Sequence, residues 1–319
     1  MLPDNNWYGH RRILLEFLGI KDKKIFASLK HGWSSQVLDI SPNKKRLYFY
    51  TILFWNKFQS NFFKKKKIYN VRAIGSPFLY LCKMLETKYD GSNTKPNSTE
   101  RVLVFPTHSS QGFAHVTNHK LLIKQVEKAF KGPYTVCLYY FNLNKKDILL
   151  YKRKNWKVVC CVKNKTDQLS LFKLYNEINM HEIIVSTEFS SALFYGMYLK
   201  KKTKVLLAPN KRVSSYIPKE KQFLKFYMKK YPELFKKHLS PEKGHELAKA
   251  ELGFNCLKNK KQLREILGLN SPLKNFFANI FSFLYDIKYS SGLRTGKNLK
   301  KKYLKKYISA ARDDKDIYK

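Results

Sequence analysis

The fold is decided by the stretch that begins RVLVFPTHSS at residue 101 and ends TKVLLA at residue 208. Within it, five short apolar runs alternate with four longer runs whose apolar residues recur at helical spacing. The predicted strands are Arg101–Phe105, Tyr134–Tyr140, Lys157–Val162, Glu182–Val185 and Lys204–Ala208. The predicted helices are Thr117–Phe130, Lys145–Lys154, Gln168–Ile178 and Ser190–Leu199. Because strands joined by helical crossovers pair in parallel, this stretch predicts a doubly wound parallel sheet.

The first 87 residues predict a second, smaller α/β unit. Its predicted strands are Lys24–Leu29, Leu47–Phe54 and Tyr69–Ile74, and its predicted helices are Tyr8–Leu18, Phe58–Lys67 and Phe78–Leu85. Residues 88–100 have the composition of a linker. The expected fold class is therefore α/β, with two Rossmann-like domains built on parallel sheets. We place a short N-terminal domain at residues 1–90, a second domain at 101–210 and a basic helical C-terminal extension at 211–319.

Positive charge is the most prominent bulk property. The chain carries 63 Lys and Arg residues against 23 Asp and Glu residues, a formal net charge of +40. Such a chain attracts polyanions, which include nucleic acid, anionic lipid and phosphate-rich substrates. Part of the lysine excess also fits the codon usage of an AT-rich genome. The sequence contains no recognised nucleic-acid-binding motif, so nucleic acid is the less favoured of these partners.

The cellular location of the protein is predicted from three features that we look for in the sequence: a membrane-spanning segment, a signal peptide and a disulfide framework. The longest apolar runs, such as Phe276–Leu284, are shorter than the ~20 residues that span a bilayer. No basic segment followed by an apolar run marks a signal peptide near Met1. Five cysteines without disulfide or zinc spacing indicate reduced thiols in a core. We expect a cytoplasmic protein.

A peripheral contact with the inner membrane is a further expectation. The stretch Ser271–Tyr289 has a strongly apolar face, and Lys300–Lys306 is a basic run. Together they could dock on an anionic inner membrane surface. The alternative is that Phe276, Phe277, Ile280 and Leu284 pack as an ordinary helix against the second domain.

Candidate site residues are sought at the ends of the predicted strands, because open parallel sheets bind ligands at the carboxyl ends of their strands. In the first domain, His31 and Gly32 follow one strand. An ordinary histidine pKa near 6.5 suits a general base at neutral pH. The turn Gly75-Ser76-Pro77 follows another strand, where Gly75 allows close backbone approach and Pro77 can begin a helix. The alternatives are a histidine packed in the core and an ordinary turn.

In the second domain, two strand ends carry hydroxyl groups. The loop after Phe105 can surround a phosphate with donors from Thr107, His108, Ser109 and Ser110. It is neither a dinucleotide-binding glycine motif nor a P-loop. The other strand end offers Ser186, Glu188, Ser190 and Ser191. One of the last two serines would cap the next helix, and Glu188 could hold sugar hydroxyls. The alternatives are capping without a ligand and a solvated glutamate.

These motifs, His31-Gly32, Gly75-Ser76-Pro77 and Ser190–Phe194, resemble the pattern of the CDP-glycerol glycerophosphotransferases and related sugar transferases of the GT-B fold. The resemblance covers the chain up to about Pro209. It implies a nucleotide-activated sugar or polyol donor, a surface-polysaccharide or lipid-linked acceptor, and a role in capsule or surface-polysaccharide synthesis. It also implies that His31 deprotonates the acceptor hydroxyl, and that Ser190 and Ser191 contact the donor phosphate.

One departure from that pattern concerns the donor. Where relatives often carry a His-Pro or a basic residue, this chain has Tyr139-Tyr140-Phe141-Asn142. The N-terminal domain is also short for the family. These departures leave open both the donor's identity and whether the chain is catalytic. Because acidic residues are scarce at the strand ends, we expect a transferase that needs no metal. We also expect no cofactor. The rival hypothesis is a non-catalytic protein that binds polyanions such as nucleic acid.

Overall fold

The structure is a computed structural model that divides into two compact units. It describes residues 7–33, 51–65, 70–86, 100–108, 114–164, 166–207, 210–213, 225, 228–229, 231–236 and 238–280. The first unit comprises Met1–Thr94, Asn164–Lys173 and Glu246–Leu293. The second comprises Lys95–Lys163, Leu174–His245 and Arg294–Lys319. The domain ranges expected from the sequence stay a prediction.

The first unit is built on a parallel three-stranded sheet in the order β1-β2-β3. The strands are β1 (Ala27–Leu29), β2 (Thr51–Phe54) and β3 (Val71–Ala73). The helices in the same part of the chain are α1 (His10–Phe17), α2 (Lys57–Lys65) and α3 (Pro77–Glu86). Each element lies inside a range expected from the sequence or within two residues of it.

Helix α1 shows why these elements form where they do. Its apolar residues Ile13, Leu14 and Phe17 recur at helical spacing and are buried. The helix stops just before Gly19, which has a φ of 72°. That left-handed conformation closes the last turn of many helices and suits a residue without a Cβ.

A close backbone contact ties the last part of the first unit to its sheet. Gly253, at the end of a helix, has a φ of 74° and lies against the end of β2. A Cβ atom on Gly253 would lie only 1.8 Å from the carbonyl oxygen of Trp55. The side chain of Asn56 donates to the carbonyl of Glu251 over 2.9 Å, beside the same contact. Only glycine allows this approach.

We predict that Gly253→Ala destabilises the protein much more than Gly19→Ala. Both glycines have positive φ, which costs an alanine about 1–2 kcal/mol. Only Gly253 also faces a clash, since nothing lies within 4 Å of a Cβ built on Gly19. We expect Gly253→Ala to lower the free energy of unfolding by about 3 kcal/mol or more. Urea denaturation of both variants measures it, and equal losses would contradict the contact.

The second unit is built on a parallel five-stranded sheet in the order β7-β6-β4-β8-β9. Its strands are β4 (Val102–Phe105), β6 (Tyr134–Cys137), β7 (Lys157–Val159), β8 (Ile183–Ser186) and β9 (Lys202–Val205). A separate antiparallel pair joins β5 (Ala114–Thr117) to β10 (Asn210–Val213).

Helices cover both faces of this sheet. They are α4 (His119–Ala129), α5 (Lys145–Lys152) and α7 (Ser191–Tyr198). The helix α6 (Ser170–Asn179) begins in a part of the chain that belongs to the first unit and ends in one that belongs to the second. On one face, Leu122 of α4 and Tyr151 of α5 pack into one buried cluster with Val104 and Val185. On the other, α7 approaches so closely that a Cβ on Gly196 would lie 2.8 Å from Ile184. The doubly wound parallel sheet expected from the sequence is confirmed.

The later helices are α8 (Glu233–Lys236), α9 (Pro241–Leu252) and α10 (Lys260–Ile266). All three lie in the C-terminal extension that was expected to be helical. The antiparallel pair of β5 and β10 was not expected from the sequence. Thr117, which was expected to open a helix, ends β5, because the side chain of Asn118 caps α4 by accepting from Leu121.

Residues 272–280 form a further helical segment. Its side chains at Leu273 and Phe276 are 64% and 59% exposed, whereas the ring of Phe277 lies 6.5 Å from that of Phe26. The rest of the expected docking region, including Leu284 and Lys300–Lys306, lies outside the described residues, so membrane docking stays a prediction. In the described part of the chain, no helix has the length and apolar character needed to cross a bilayer.

Candidate functional site

The strand order of the second unit defines where its ligand crevice must lie. From β4 the chain runs outward through β6 to β7, and then returns to the other side of β4 to form β8 and β9. The order therefore reverses between β4 and β8. At such a point the two neighbouring loops leave the sheet in opposite directions and open a crevice beyond the carboxyl ends of the strands. The loops that begin at Pro106 and Thr187 flank that point.

Two threonines join these loops. The hydroxyl of Thr187 accepts from the backbone amide of Thr107 over 2.6 Å, and the two hydroxyl oxygens lie 2.7 Å apart. Both residues are almost fully buried. The hydroxyl of Thr117 donates to the carbonyl of Thr107, which further fixes the first loop. The polar groups at the switch point are thus held in place by the protein itself.

The second loop leads directly into α7. Ser190 caps this helix, since its hydroxyl oxygen accepts from the amide of Leu193 over 3.3 Å. The hydroxyl of Ser186 lies 3.4 Å from that of Ser190 and within 3.4 Å of the carbonyl of Phe105. A helix begins with a partial positive charge and with amides that lack partners in the helix. This loop therefore presents hydroxyls beside a positive helix end.

Aromatic rings follow the ends of β4 and β6. The ring of His108 stacks on that of Tyr139, with centroids 4.2 Å apart and planes at 30°. The ring centroid of Tyr140 lies 4.5 Å from that of Tyr139, and the ring centroid of Phe141 lies 4.5 Å from that of Tyr140. His108 and Phe141 are exposed, and the two tyrosines between them are half-buried. The result is a step of four rings with an open side, which we call the aromatic step.

The site residues predicted in this unit fall into three groups. Thr107 and Ser186 are buried and hold the loops together. His108 is exposed, and half-buried positions are taken by Glu188, Ser190 and Ser191. Ser109 and Ser110 lie outside the described residues. The structure brings the described members of the set to one edge of the sheet; that any of them contacts a donor phosphate stays a prediction.

In the first unit, His31 lies just beyond β1, where its ring packs on Trp7 at a centroid distance of 4.3 Å. More than a third of the residue remains exposed. Partial removal of water by the surrounding chain, and then the nearby Lys30 cation, lower the pKa of His31 to about 4. The imidazole is therefore neutral at physiological pH, but it is a weaker base than an ordinary histidine. Its catalytic role stays a prediction.

A second histidine, which the sequence did not single out, lies beneath this position. His10 is buried between Tyr8 and Trp55, with ring centroids 6.1 and 6.2 Å away. Its Nδ1 has no hydrogen-bond partner among the described residues. Burial, and then the neighbouring His31, lower the pKa of His10 to about 3, against a smaller opposing effect of the Lys30 backbone.

The turn Gly75-Ser76-Pro77 is buried within the first unit. Gly75 has a φ of 83°, and its amide donates to the carbonyl of Trp55 over 2.9 Å. A Cβ on Gly75 would meet Leu257 at 2.8 Å, and the amide of Ser76 donates to the carbonyl of Leu252. In the structure this turn has a packing role. The expected part of Gly32, Gly75 and Pro77 in lining a cleft stays a prediction.

Two site features were missed at the sequence level. Thr187 was passed over in favour of its neighbours, although its hydroxyl makes the shortest contacts between the loops. Tyr139 was noted only as a departure from a family pattern. The signal available was its position: Tyr139 begins a run of three aromatic residues at the carboxyl end of a predicted strand, where side chains are well placed to face a ligand.

Comparisons with known proteins add little to this geometry. No protein-family model matches the sequence, and no curated protein matches it. Two solved structures of the wall teichoic acid polymerase TagF, one soaked with CDPG, are similar at 11% and 12% identity. Each covers 81% of this chain, the TM-scores are 0.29 and 0.31, and this chain spans 64% and 65% of those chains. At these TM-scores we infer neither fold nor chemistry from the likeness.

We predict that Thr187→Val lowers stability while Thr203→Val does not. Both threonines are buried, but the hydroxyl of Thr187 is bonded to Thr107, whereas that of Thr203 has no partner among the described residues. Removing the first deletes the hydroxyl that accepts from the amide of Thr107, at a cost of about 1–3 kcal/mol. The second exchange should stay within about 0.5 kcal/mol of the parent. Urea denaturation measures both, and equal effects would contradict the role given to Thr187.

We also predict that His10 weakens the protein in acid. The unfolded chain protonates this histidine near pH 6.5, whereas the folded chain does so only near pH 3. Stability is therefore lost as the pH falls through this range, by roughly 3 kcal/mol at pH 4.5. His10→Asn should flatten the plot of unfolding free energy against pH, and His238→Asn, at an exposed histidine, should not. A slope that His10→Asn leaves unaltered would refute the assignment.

Proposed function

We propose that this protein is a transferase that binds a nucleotide-activated sugar or polyol donor on its second unit and transfers the activated group to a hydroxyl. The observation that supports it most is the switch point between β4 and β8. There the Thr107–Thr187 pair, the capped start of α7 and the aromatic step meet at one edge of a parallel sheet. At this edge the start of α7 suits the phosphate of the donor, which carries the charge of the leaving group, and the aromatic step suits its flat base.

The phosphate part of the donor is assigned to the start of α7. Ser190 and Ser191 lie there, and each residue is partly exposed. The helix end favours negative charge, and its amides can donate to phosphate oxygens. These same donors would stabilise the charge that grows on the leaving phosphate during transfer. The formal net charge of +40 adds a general attraction for such a donor.

The nucleobase is assigned to the aromatic step. His108 and Tyr139 are already stacked, so little ordering is needed before a base adds to the open side. A base that stacks on an aromatic side chain gains about 1–3 kcal/mol, whatever its identity. The resemblance of the short motifs to the CDP-glycerol glycerophosphotransferases makes CDP-linked donors the first to test. In this proposal the acceptor is a surface polysaccharide or glycolipid, and the reaction takes place on the cytoplasmic side.

The base that activates the acceptor hydroxyl is assigned to His31. Its low pKa keeps the imidazole unprotonated, which a general base requires. Its ring packs against that of Trp7 at a centroid distance of 4.3 Å, which restricts its motion. A carboxylate partner is not needed to keep this histidine neutral, since desolvation and Lys30 already do so.

A thermal-shift panel of CDP-, UDP-, GDP- and ADP-linked compounds tests donor binding. A ligand that binds only the folded state raises the melting temperature. We expect one nucleotide class to do so, and Tyr139→Ala to weaken that ligand about tenfold. Phe58→Ala, which removes a ring that is 71% exposed in the first unit, is the matched control. If no nucleotide shifts the transition while DNA or RNA binds with a steep salt dependence, the protein is a polyanion binder instead.

With the donor and an acceptor identified, His31→Ala tests the base. We expect turnover to fall by about 100-fold or more, the usual contribution of general base catalysis. For the parent protein, kcat/KM should stay level from pH 8 down to pH 5 and fall as the pH drops through about 4, because His31 then becomes protonated. Unchanged turnover in His31→Ala removes His31 from the mechanism, and a fall centred near pH 6.5 contradicts its low pKa.

A further inference from the structure

A depression of about 430 Å³ lies in the first unit, on the flank of α1. A volume of this size falls in the range of small-molecule sites, about 300–1,000 Å³. Its lining includes the buried residues Arg11 and Leu15, and the exposed residues Lys21, Asp22 and Gln168. None of the residues assigned above to donor binding or catalysis is among those that line it.

Arg11 is the unusual feature of this depression. Only 8% of the residue is exposed, so its guanidinium lies largely out of water. One terminal nitrogen donates to Oδ1 of Asp22 over 2.9 Å, and Nε has no hydrogen-bond partner among the described residues. The side chain of Asp22 is 74% exposed. Among the described residues, the carboxylate bonded to this buried arginine is an exposed one. The arginine can therefore exchange it for another anion, since its planar group offers five donors.

The remaining lining gives the depression a positive balance and an apolar wall. Arg12 and Lys21 add two cations, and Glu16 adds one carboxylate. The Nε of Arg12 lies 3.6 Å from Oε2 of Glu16, and its Cζ lies 5.8 Å from the ring centroid of Phe172. These two contacts position the guanidinium. Leu15 and Ile20 provide apolar surface. With three cations (Arg11, Arg12 and Lys21) and two carboxylates (Glu16 and Asp22), the lining has a net positive charge that favours a bound anion.

We propose that this depression binds a small phosphomonoester. The phosphate takes the place of the Asp22 carboxylate on Arg11 and is also held by Lys21, while the organic part lies against Leu15 and Ile20. Phosphate matches the fork of donors on an arginine. The volume and the apolar wall favour an organic phosphate over inorganic phosphate. Asp22 acts as an internal competitor that occupies Arg11 when the ligand is absent.

Calorimetric titration of the full chain at constant ionic strength tests the proposal, with glycerol 1-phosphate, inorganic phosphate and glycerol as probes. We expect glycerol 1-phosphate to bind and glycerol not to. Lys21→Gln should weaken binding about fivefold, and Lys23→Gln, an exposed lysine outside the lining, less than about twofold. Asp22→Asn should tighten binding about fivefold, and Glu265→Gln, an exposed glutamate elsewhere in the unit, should leave it within about twofold.

These four substitutions are at exposed positions, so the variants are expected to fold. A further variant, Arg11→Lys, tests the buried guanidinium while keeping its positive charge. Absence of binding by glycerol 1-phosphate would overturn the proposal. So would equal effects of Lys21→Gln and Lys23→Gln, or of Asp22→Asn and Glu265→Gln, since either result indicates attraction by net charge alone. Inorganic phosphate that binds as tightly as glycerol 1-phosphate would remove the role of the apolar wall. The Tyr139→Ala variant leaves this depression intact, so the two binding tests can fail separately.

Discussion

The pairing of β4 with β8 is the constraint on which the second unit depends. All eight residues of the two strands are buried, and their register places Phe105 beside Ser186. Because both strands end at the same level, the loops that follow them start side by side. The threonine pair then joins these loops, and Ser190 starts α7 a few residues later. Burial in the centre of the sheet thus fixes the position of polar groups at its edge.

In the first unit, close backbone contacts at the end of one strand position the neighbouring turns. Here the sheet has only three short strands, and a later part of the chain completes the structure by close backbone contact. The carbonyl of Trp55 accepts from Gly75 and meets Gly253, so one strand end organises two turns. Burial lowers the pKa of His10, and partial desolvation followed by the Lys30 cation lowers that of His31.

Much of the site could be found from the sequence, because strand ends are visible as the points where apolar runs stop. Either Ser190 or Ser191 was expected in this way to cap a helix, and the structure gives that role to Ser190. The burial of Thr107 and Ser186 could not be found, since a hydroxyl in a loop has the same appearance whether it faces a ligand or a neighbouring loop. The stacking of His108 on Tyr139 was also hidden, because the two residues come from different strands.

The sequence by itself determined the alternation of strands and helices, and with it the parallel sheets, since periodicity and right-handed crossovers leave few other arrangements. The tertiary structure alone decided which strands are neighbours, which glycines allow backbones to meet, and what surrounds each titratable group. These depend on contacts between residues far apart in the chain, such as Thr107 with Thr187 and Trp55 with Gly253. Local sequence patterns carry no record of such contacts, because they arise only when separate elements pack together.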